Sequence, residues 1–249
     1  MKKKGLFIMK KGTDRLVVAL DLPTAEEAIK LVDTLGDLVE YYQVGMQQFY
    51  GMGHTIMTQL ASRNKKLLLD LKLHDIPTTV GRSVTGLCQF SPSFITLHAA
   101  GGVKMLQAGL QAAREWAEHT NKPQPKILAI TILTSIGERD WMDLGYQNSI
   151  RESVLRMSVM CKEAGIDGVI ASPQESMNIR SLCGPDFIIA TPGIRLFPQN
   201  KGDQKRTATP AEALRGGSDY LIVGRPIITA SDPLQVTNNI LMEMSDKDL

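Results

Sequence analysis

KLLLDLKLHDIPTT, Lys66 to Thr79, begins as a strand and ends as an array of charges. The consecutive apolar residues Leu67, Leu68 and Leu69 leave no polar face, as in a strand covered on both sides by the layers of an α/β fold. At the end of that strand stand Asp70, Lys72 and, a little beyond, Asp75. Isolated charges removed from water cost several kcal/mol each, so a buried strand end carrying them needs either mutual pairing or a chemical task.

Working outward, seven similar runs recur along the chain: LVVALD (Leu16 to Asp21), YYQVG (Tyr41 to Gly45), SFITLHA (Ser93 to Ala99), KILAITIL (Lys126 to Leu133), DGVIAS (Asp167 to Ser172), FIIATPG (Phe187 to Gly193) and YLIVGRPI (Tyr220 to Ile227). Between them lie segments of helical period, such as Ala25-Ala28-Ile29-Val32 and Val154-Met157-Cys161, long enough for crossover helices. Thr24 supplies an N-cap, Pro23 a turn and Gly165 a helix stop. An eightfold βα pattern with no Pro/Ser-rich linker predicts one (β/α)8 TIM barrel over residues 1–249; a doubly wound sheet is the structural alternative. Residues 1–13 read as a disordered or loosely attached tail, because the run Leu6 to Met9 is too short for a signal peptide and Lys10 and Lys11 end it; the second MKK at Met9 also offers an alternative start.

With 28 Lys plus Arg against 26 Asp plus Glu, the net charge of +2 provides no electrostatic footprint for nucleic acid, and no run approaches a membrane span. The three cysteines, Cys88, Cys161 and Cys183, have neither disulfide-framework nor zinc-site spacing, which fits a reducing cytoplasm.

Chemistry in a barrel sits at the carboxyl ends of its strands. Those ends supply Asp21, Gln43 with Gly45, Asp70 with Lys72, His98, Thr131 with Thr134 and Ser135, Ser172, Gly193 with Arg195, and Gly224 with Arg225. Residues two apart on a strand share a face, which predicts that Asp70 and Lys72 both project into the mouth, with Asp75 past the strand. A lysine flanked by carboxylates stays protonated and is a ready proton donor, while a carboxylate beside a substrate anion disfavours that anion's charge. Together they suit a decarboxylation in which the lysine protonates the carbanion left behind. A salt-bridge network that only closes the barrel mouth is the competing reading. Gly193 and Gly224, with Arg195 and Arg225, lie after the seventh and eighth strands, where barrels often hold a phosphate. The polar stretch LFPQNKGDQKRTATP, Leu196 to Pro210, reads as a mobile loop.

From VALD at Val18 to RPIITASDP at Arg225, and most specifically in DLKLHDIPTTV (Asp70 to Val80), TPGIR (Thr191 to Arg195), GDQKR (Gly202 to Arg206) and SDYLIVGRPI (Ser218 to Ile227), the sequence resembles the orotidine 5'-phosphate decarboxylase family. The resemblance implies conversion of orotidine 5'-monophosphate to UMP without metal or cofactor. It also implies that Lys72 protonates C6 of the pyrimidine and that Asp70 lies beside the departing carboxylate. Asp75 and Thr79 would reach the site of a second subunit in a homodimer. Asp21 would bind the ribose, Thr134 the pyrimidine, and Gln204, on a closing lid, both pyrimidine and phosphate.

Gln43 departs from the pattern, standing where the family usually carries lysine. Glutamine can donate to a hydroxyl and to a carboxylate but cannot neutralise Asp70. Ribose binding is therefore expected to survive in part, with slower turnover; a shifted register or a substituting cation is the other explanation. Thr78, where asparagine is common, is assigned no role. His98 is expected to hydrogen-bond structurally, His74 to point outward, and Met46, Met52, Met57, Met157 and Met160 to fill the core. Trp141 and Tyr146 belong to a segment expected to cap the barrel after the fifth strand. Two other functions stay open: a metal-dependent phosphosugar decarboxylase or aldolase on the same scaffold, and a catalytically impaired nucleotide-binding relative. The first is disfavoured by Gln43, a poor magnesium ligand where a carboxylate is wanted.

Overall fold

The computed structural model describes residues 14–196 and 206–245. Eight parallel strands, β1 Leu16–Ala19, β2 Tyr41–Gly45, β3 Lys66–Leu73, β4 Phe94–His98, β5 Lys126–Ile130, β6 Gly168–Ile170, β7 Ile188–Thr191 and β8 Tyr220–Val223, pair in chain order, and β8 returns to β1 to close the barrel. Around them run α1 Ala25–Leu35, α2 Met46–Met52, α3 Thr55–Ser62, α4 Pro77–Cys88, α5 Gly102–Thr120, α6 Glu138–Asp143, α7 Ile150–Glu163, α8 Pro173–Cys183, α9 Pro210–Arg215, α10 Arg225–Ile228 and α11 Pro233–Met244. The doubly wound alternative is thereby excluded.

Local chemistry sets the helix starts. Thr24 caps α1 by accepting from the Glu27 amide, and capping boxes open α7 (Ser149 with Glu152) and α9 (Thr209 with Glu212). Val18, Leu69, Ile95 and Val169 are fully buried outside the barrel, in the layer shared with the helices. Val17, Tyr41, Leu68, Phe94, Leu128 and Tyr220 fill its interior instead. The rings of Tyr41, Phe94 and Tyr220 pack at centroid distances of 5.1–5.8 Å. This aromatic layer lies one strand step below the polar inner positions Gln43, on β2, and Thr96, on β4, and leaves the space above it to the site.

At the opposite end the Arg180 guanidinium donates to the carbonyls of Gly184 (2.8 Å), Phe187 (2.7 Å) and Gly217 (2.8 Å) and to the Asp219 carboxylate (2.5 Å). One side chain thus joins the turn before β7 to the turn before β8. With the Pro185 carbonyl (3.0 Å) it has five acceptors; Arg180→Ala leaves all of them without this donor, and the expected loss of stability is about 3 kcal/mol. Urea unfolding checks it: a loss below about 1 kcal/mol would show that water replaces the guanidinium at little cost.

Several strands are shorter than their apolar runs, and two stop well before the run does. YLIVGRPI ends as a strand at Val223, and Arg225 to Ile228 form α10; KILAITIL ends at Ile130. The apolar run continues in each case because residues beyond the strand are also buried, as Ile132 and Ile227 are, and periodicity does not separate a buried strand from a buried loop or helix joined to its end. Among the methionines, Met57 is buried at 1% exposure, whereas Met46, the first residue of α2 at the barrel rim, is 44% exposed and is no core filler.

Candidate active site

The carboxyl ends of the strands surround a cavity of about 480 Å³. Ile130, Ile132, Ile170 and Ile222 form its apolar wall, and Asp21, Gln43, Asp70 and Lys72 its polar side. Thr134 and Ser135 line it after β5, Gly193 and Arg195 after β7, and Gly224 and Arg225 after β8. Eight of the predicted site residues, Asp21, Gln43, Asp70, Lys72, Thr134, Arg195, Gly224 and Arg225, therefore meet around one space.

Asp70, 6% exposed, is the centre of the polar side. Its Oδ2 accepts from Lys72 Nζ at 2.7 Å and from Gln43 Nε2 at 3.1 Å; its Oδ1 accepts from Thr96 Oγ1 at 3.0 Å. Three donors from three adjacent strands fix this carboxylate, and one of them is a charged ammonium. Lys72 reaches it by an unexpected route. Leu69 lies opposite Ile95 but Leu73 lies opposite Leu97, so β3 bulges where it passes the site. Lys72 takes φ 50°, a left-handed conformation that costs a non-glycine residue energy and is held here by its surroundings. Strand alternation predicted the right side of the barrel for Lys72, but the bulge is what aims it.

Around this pair the charges are graded. Loss of hydrating water, and then the Asp70 carboxylate, push the Asp21 carboxyl above the usual aspartate range although its outer edge remains exposed. Burial, with His74 and Lys72 adding to it, pushes His98 down; its Nδ1 accepts from the Ala100 amide at 3.2 Å and its ring stacks on His74 at 5.2 Å. That is the structural role expected for His98, with His74 exposed beside it.

Arg195 is 9% exposed; its amide donates to Ala208 O at 2.9 Å, and Arg206, from the GDQKR motif, pairs with buried Glu175 at 2.6 Å. Gly193 has φ 81°, which favours glycine, whereas Gly224, at φ −109°, has room for a Cβ 3.4 Å from that of Ala19. Of the strand-end polar groups, Thr131 and Ser172 turn to structure: Thr131 donates to Ile170 O and Ser172 caps α8. Trp141 is buried and stacks on Tyr146 at 3.7 Å.

Asp75 and Thr79 are exposed and do not line the cavity; Asp75 accepts from the Ile76 amide at 2.6 Å at the start of α4. Gln204, and the tail at residues 1–13, lie outside the described residues. Thr96 does not stand out in the sequence as a site residue. A signal for it exists all the same: it lies two residues after the inward-facing Phe94, which makes it the polar inner position of β4.

A closed (β/α)8 barrel with a lysine paired to a buried carboxylate, and with arginines at the exits of its last two strands, is the architecture of a barrel enzyme, and its polar side is an arrangement that can serve proton transfer beside an anionic group. The family model for "Orotidine 5'-phosphate decarboxylase / HUMPS family" matches residues 14–240, and the chain belongs to that family. It is 42% identical to the orotidine 5'-phosphate decarboxylase of Moorella thermoacetica, over 93% of this chain and 92% of the relative. It is 40% identical to that of Nostoc sp., over 94% and 98%. Among solved structures it superimposes on orotidine 5'-phosphate decarboxylase from Lactobacillus acidophilus with a TM-score of 0.82 and 37% identity, covering 93% of this chain and all of the other.

Proposed function

We propose that the chain is a cofactor-independent orotidine 5'-monophosphate decarboxylase that forms UMP in pyrimidine biosynthesis, working in the cytoplasm as a homodimer of single-barrel subunits. The observation that carries this reading is the 2.7 Å contact of Lys72 Nζ with Asp70 in the mouth of a barrel of this family. The bond from C6 to the carboxylate breaks, carbon dioxide leaves, and the electron pair stays on C6. Lys72 then delivers its proton to C6 and is reprotonated from water. Asp70, whose position is set by three donors, lies beside the departing carboxylate and penalises its charge in the ground state.

The remaining roles follow the cavity wall. Arg195 and Arg225, with the backbone at Gly193 and Gly224, bind the phosphate; Asp21 and Gln43 bind ribose hydroxyls; Thr134 binds the pyrimidine. Gln204 closes over pyrimidine and phosphate, so that phosphate binding energy helps exclude water from the site. Asp75 and Thr79, exposed on one subunit, complete the site of the second. Among the described residues no helix is long and apolar enough to cross a membrane, and no group of three or more His, Cys, Asp or Glu could hold a metal ion. The family name also covers the HUMPS branch, but the relatives from Moorella thermoacetica and Nostoc sp. carry the decarboxylase name, which favours the nucleotide substrate over a phosphosugar.

The test is the loss of absorbance when chelator-treated protein meets orotidine 5'-monophosphate. Turnover supports the reading; tight UMP binding by a folded protein without turnover would instead support a nucleotide-binding relative. Gln43 supplies a neutral donor to Asp70, so Gln43→Lys adds a second cation to the array. The expected result is a kcat on the order of tenfold higher, equivalent to about 1.4 kcal/mol of barrel-mouth electrostatics. An unchanged kcat would show that Gln43 costs the enzyme nothing.

A further inference from the structure

The geometry points to Thr96 as the positioning residue of the catalytic pair, a role that rests on the reading of Lys72 as proton donor and Asp70 as its partner. Where β3 bulges, the Lys72 amide has left the regular strand ladder, and Thr96 Oγ1 accepts its hydrogen bond at 2.9 Å. The same hydroxyl donates its single proton to Asp70 Oδ1 at 3.0 Å. One oxygen atom thus ties the backbone of the proton donor to the carboxylate that its ammonium group contacts. Thr96 is 0% exposed, so no bulk water competes for either bond.

Two features make this bridge more than a satisfied core hydroxyl. Lys72 sits at φ 50°, a conformation that a lysine keeps only when its surroundings hold it, and the Thr96 contact is made to that residue's own amide. Asp70 Oδ2 already serves Lys72 and Gln43, so Thr96 alone of these three donors holds Oδ1 and thereby sets the rotation of the carboxylate plane. Removing it frees the carboxylate to turn and the Lys72 backbone to relax towards φ below zero, and both motions carry the ammonium away from its working place.

Thr96→Val keeps the shape and removes both hydrogen bonds; Thr96→Ser keeps the hydroxyl. For decarboxylation of orotidine 5'-monophosphate, Thr96→Val is expected to lower kcat about 100-fold with KM changed less than about threefold, because a displacement of an ångström in a reacting group costs about that much. Thr96→Ser is expected to stay within about threefold of the parent, a rescue that loss of packing does not predict. Independently of turnover, a crystal structure of Thr96→Val is expected to show Asp70 rotated or Lys72 moved out of the left-handed region; if Val fails to fold, Thr96→Ala serves for both measurements. A kcat equal to that of the parent, or Asp70 and Lys72 unmoved in the crystal, overturns the proposal. An inactive parent protein would refute the decarboxylase reading instead, and the crystal comparison would still decide the role of Thr96.

Discussion

Lys72→Ala is expected to lower kcat for orotidine 5'-monophosphate by about 10³-fold or more, with circular dichroism unchanged. The substitution removes the proposed proton donor, and general acid catalysis alone contributes about 10²–10⁴-fold. It also removes the cation from Asp70 Oδ2, which leaves a carboxylate of 6% exposure held only by the neutral donors Gln43 and Thr96. An unpaired buried charge is costly, so the carboxylate is expected to move towards water, and the ground-state repulsion it exerts on the substrate falls with it. The effect belongs in kcat, because Arg195 and Arg225, the proposed phosphate ligands, line the cavity at other strand exits and are untouched. Stopped or continuous absorbance assays read it directly. A variant within tenfold of the parent would remove Lys72 from the mechanism.

Mixing two dead variants is expected to restore about one quarter of the parent activity. Asp75 and Thr79 are exposed and away from the cavity of their own chain, and Ile76 between them is 66% exposed. If a second subunit places Asp75 in this cavity, Lys72→Ala subunits keep a good Asp75 to lend, and Asp75→Asn subunits keep a good Lys72. In a statistical mixture half of the dimers are hybrids, and each hybrid holds one intact site and one doubly broken site. Activity after subunit exchange, with exchange verified by mass-tagged chains, gives the answer. Exchange without recovery would refute shared sites and return Asp75 to the role seen within one chain, an acceptor for the Ile76 amide.

Gln43 illustrates how far a residue's type carries. From its side chain alone it could donate to Asp70 and could not neutralise it, and the 3.1 Å bond from Nε2 to Asp70 Oδ2 is that donation. Lys72 illustrates the limit. Its place in D-x-K marked it as a proton donor, and alternation put it on the inner face, but the bulge opposite Ile95 and Leu97 and the φ of 50° depend on how two strands pair. Thr96 lay in full view in SFITLHA, two residues after Phe94, but that spacing marks an inner position only once Phe94 is seen to face inward; Thr131, one residue after the inward-facing Ile130, turns its hydroxyl to a neighbouring carbonyl instead.

The amino-acid sequence by itself determined the eight apolar strands, the Thr24 cap and the Gly165 stop, the barrel and the charged strand end, because these depend on local periodicity, turn chemistry and residue type. Only the tertiary structure decided where strands stop, which polar strand ends face the cavity, and that Gln43, Lys72 and Thr96 converge on one carboxylate. Those three donors come from three strands, with 26 and 27 residues separating Thr96 and Gln43 from Asp70. A hydrogen bond is decided by tenths of an ångström, and that precision exists only once the closed barrel has fixed the register between neighbouring strands.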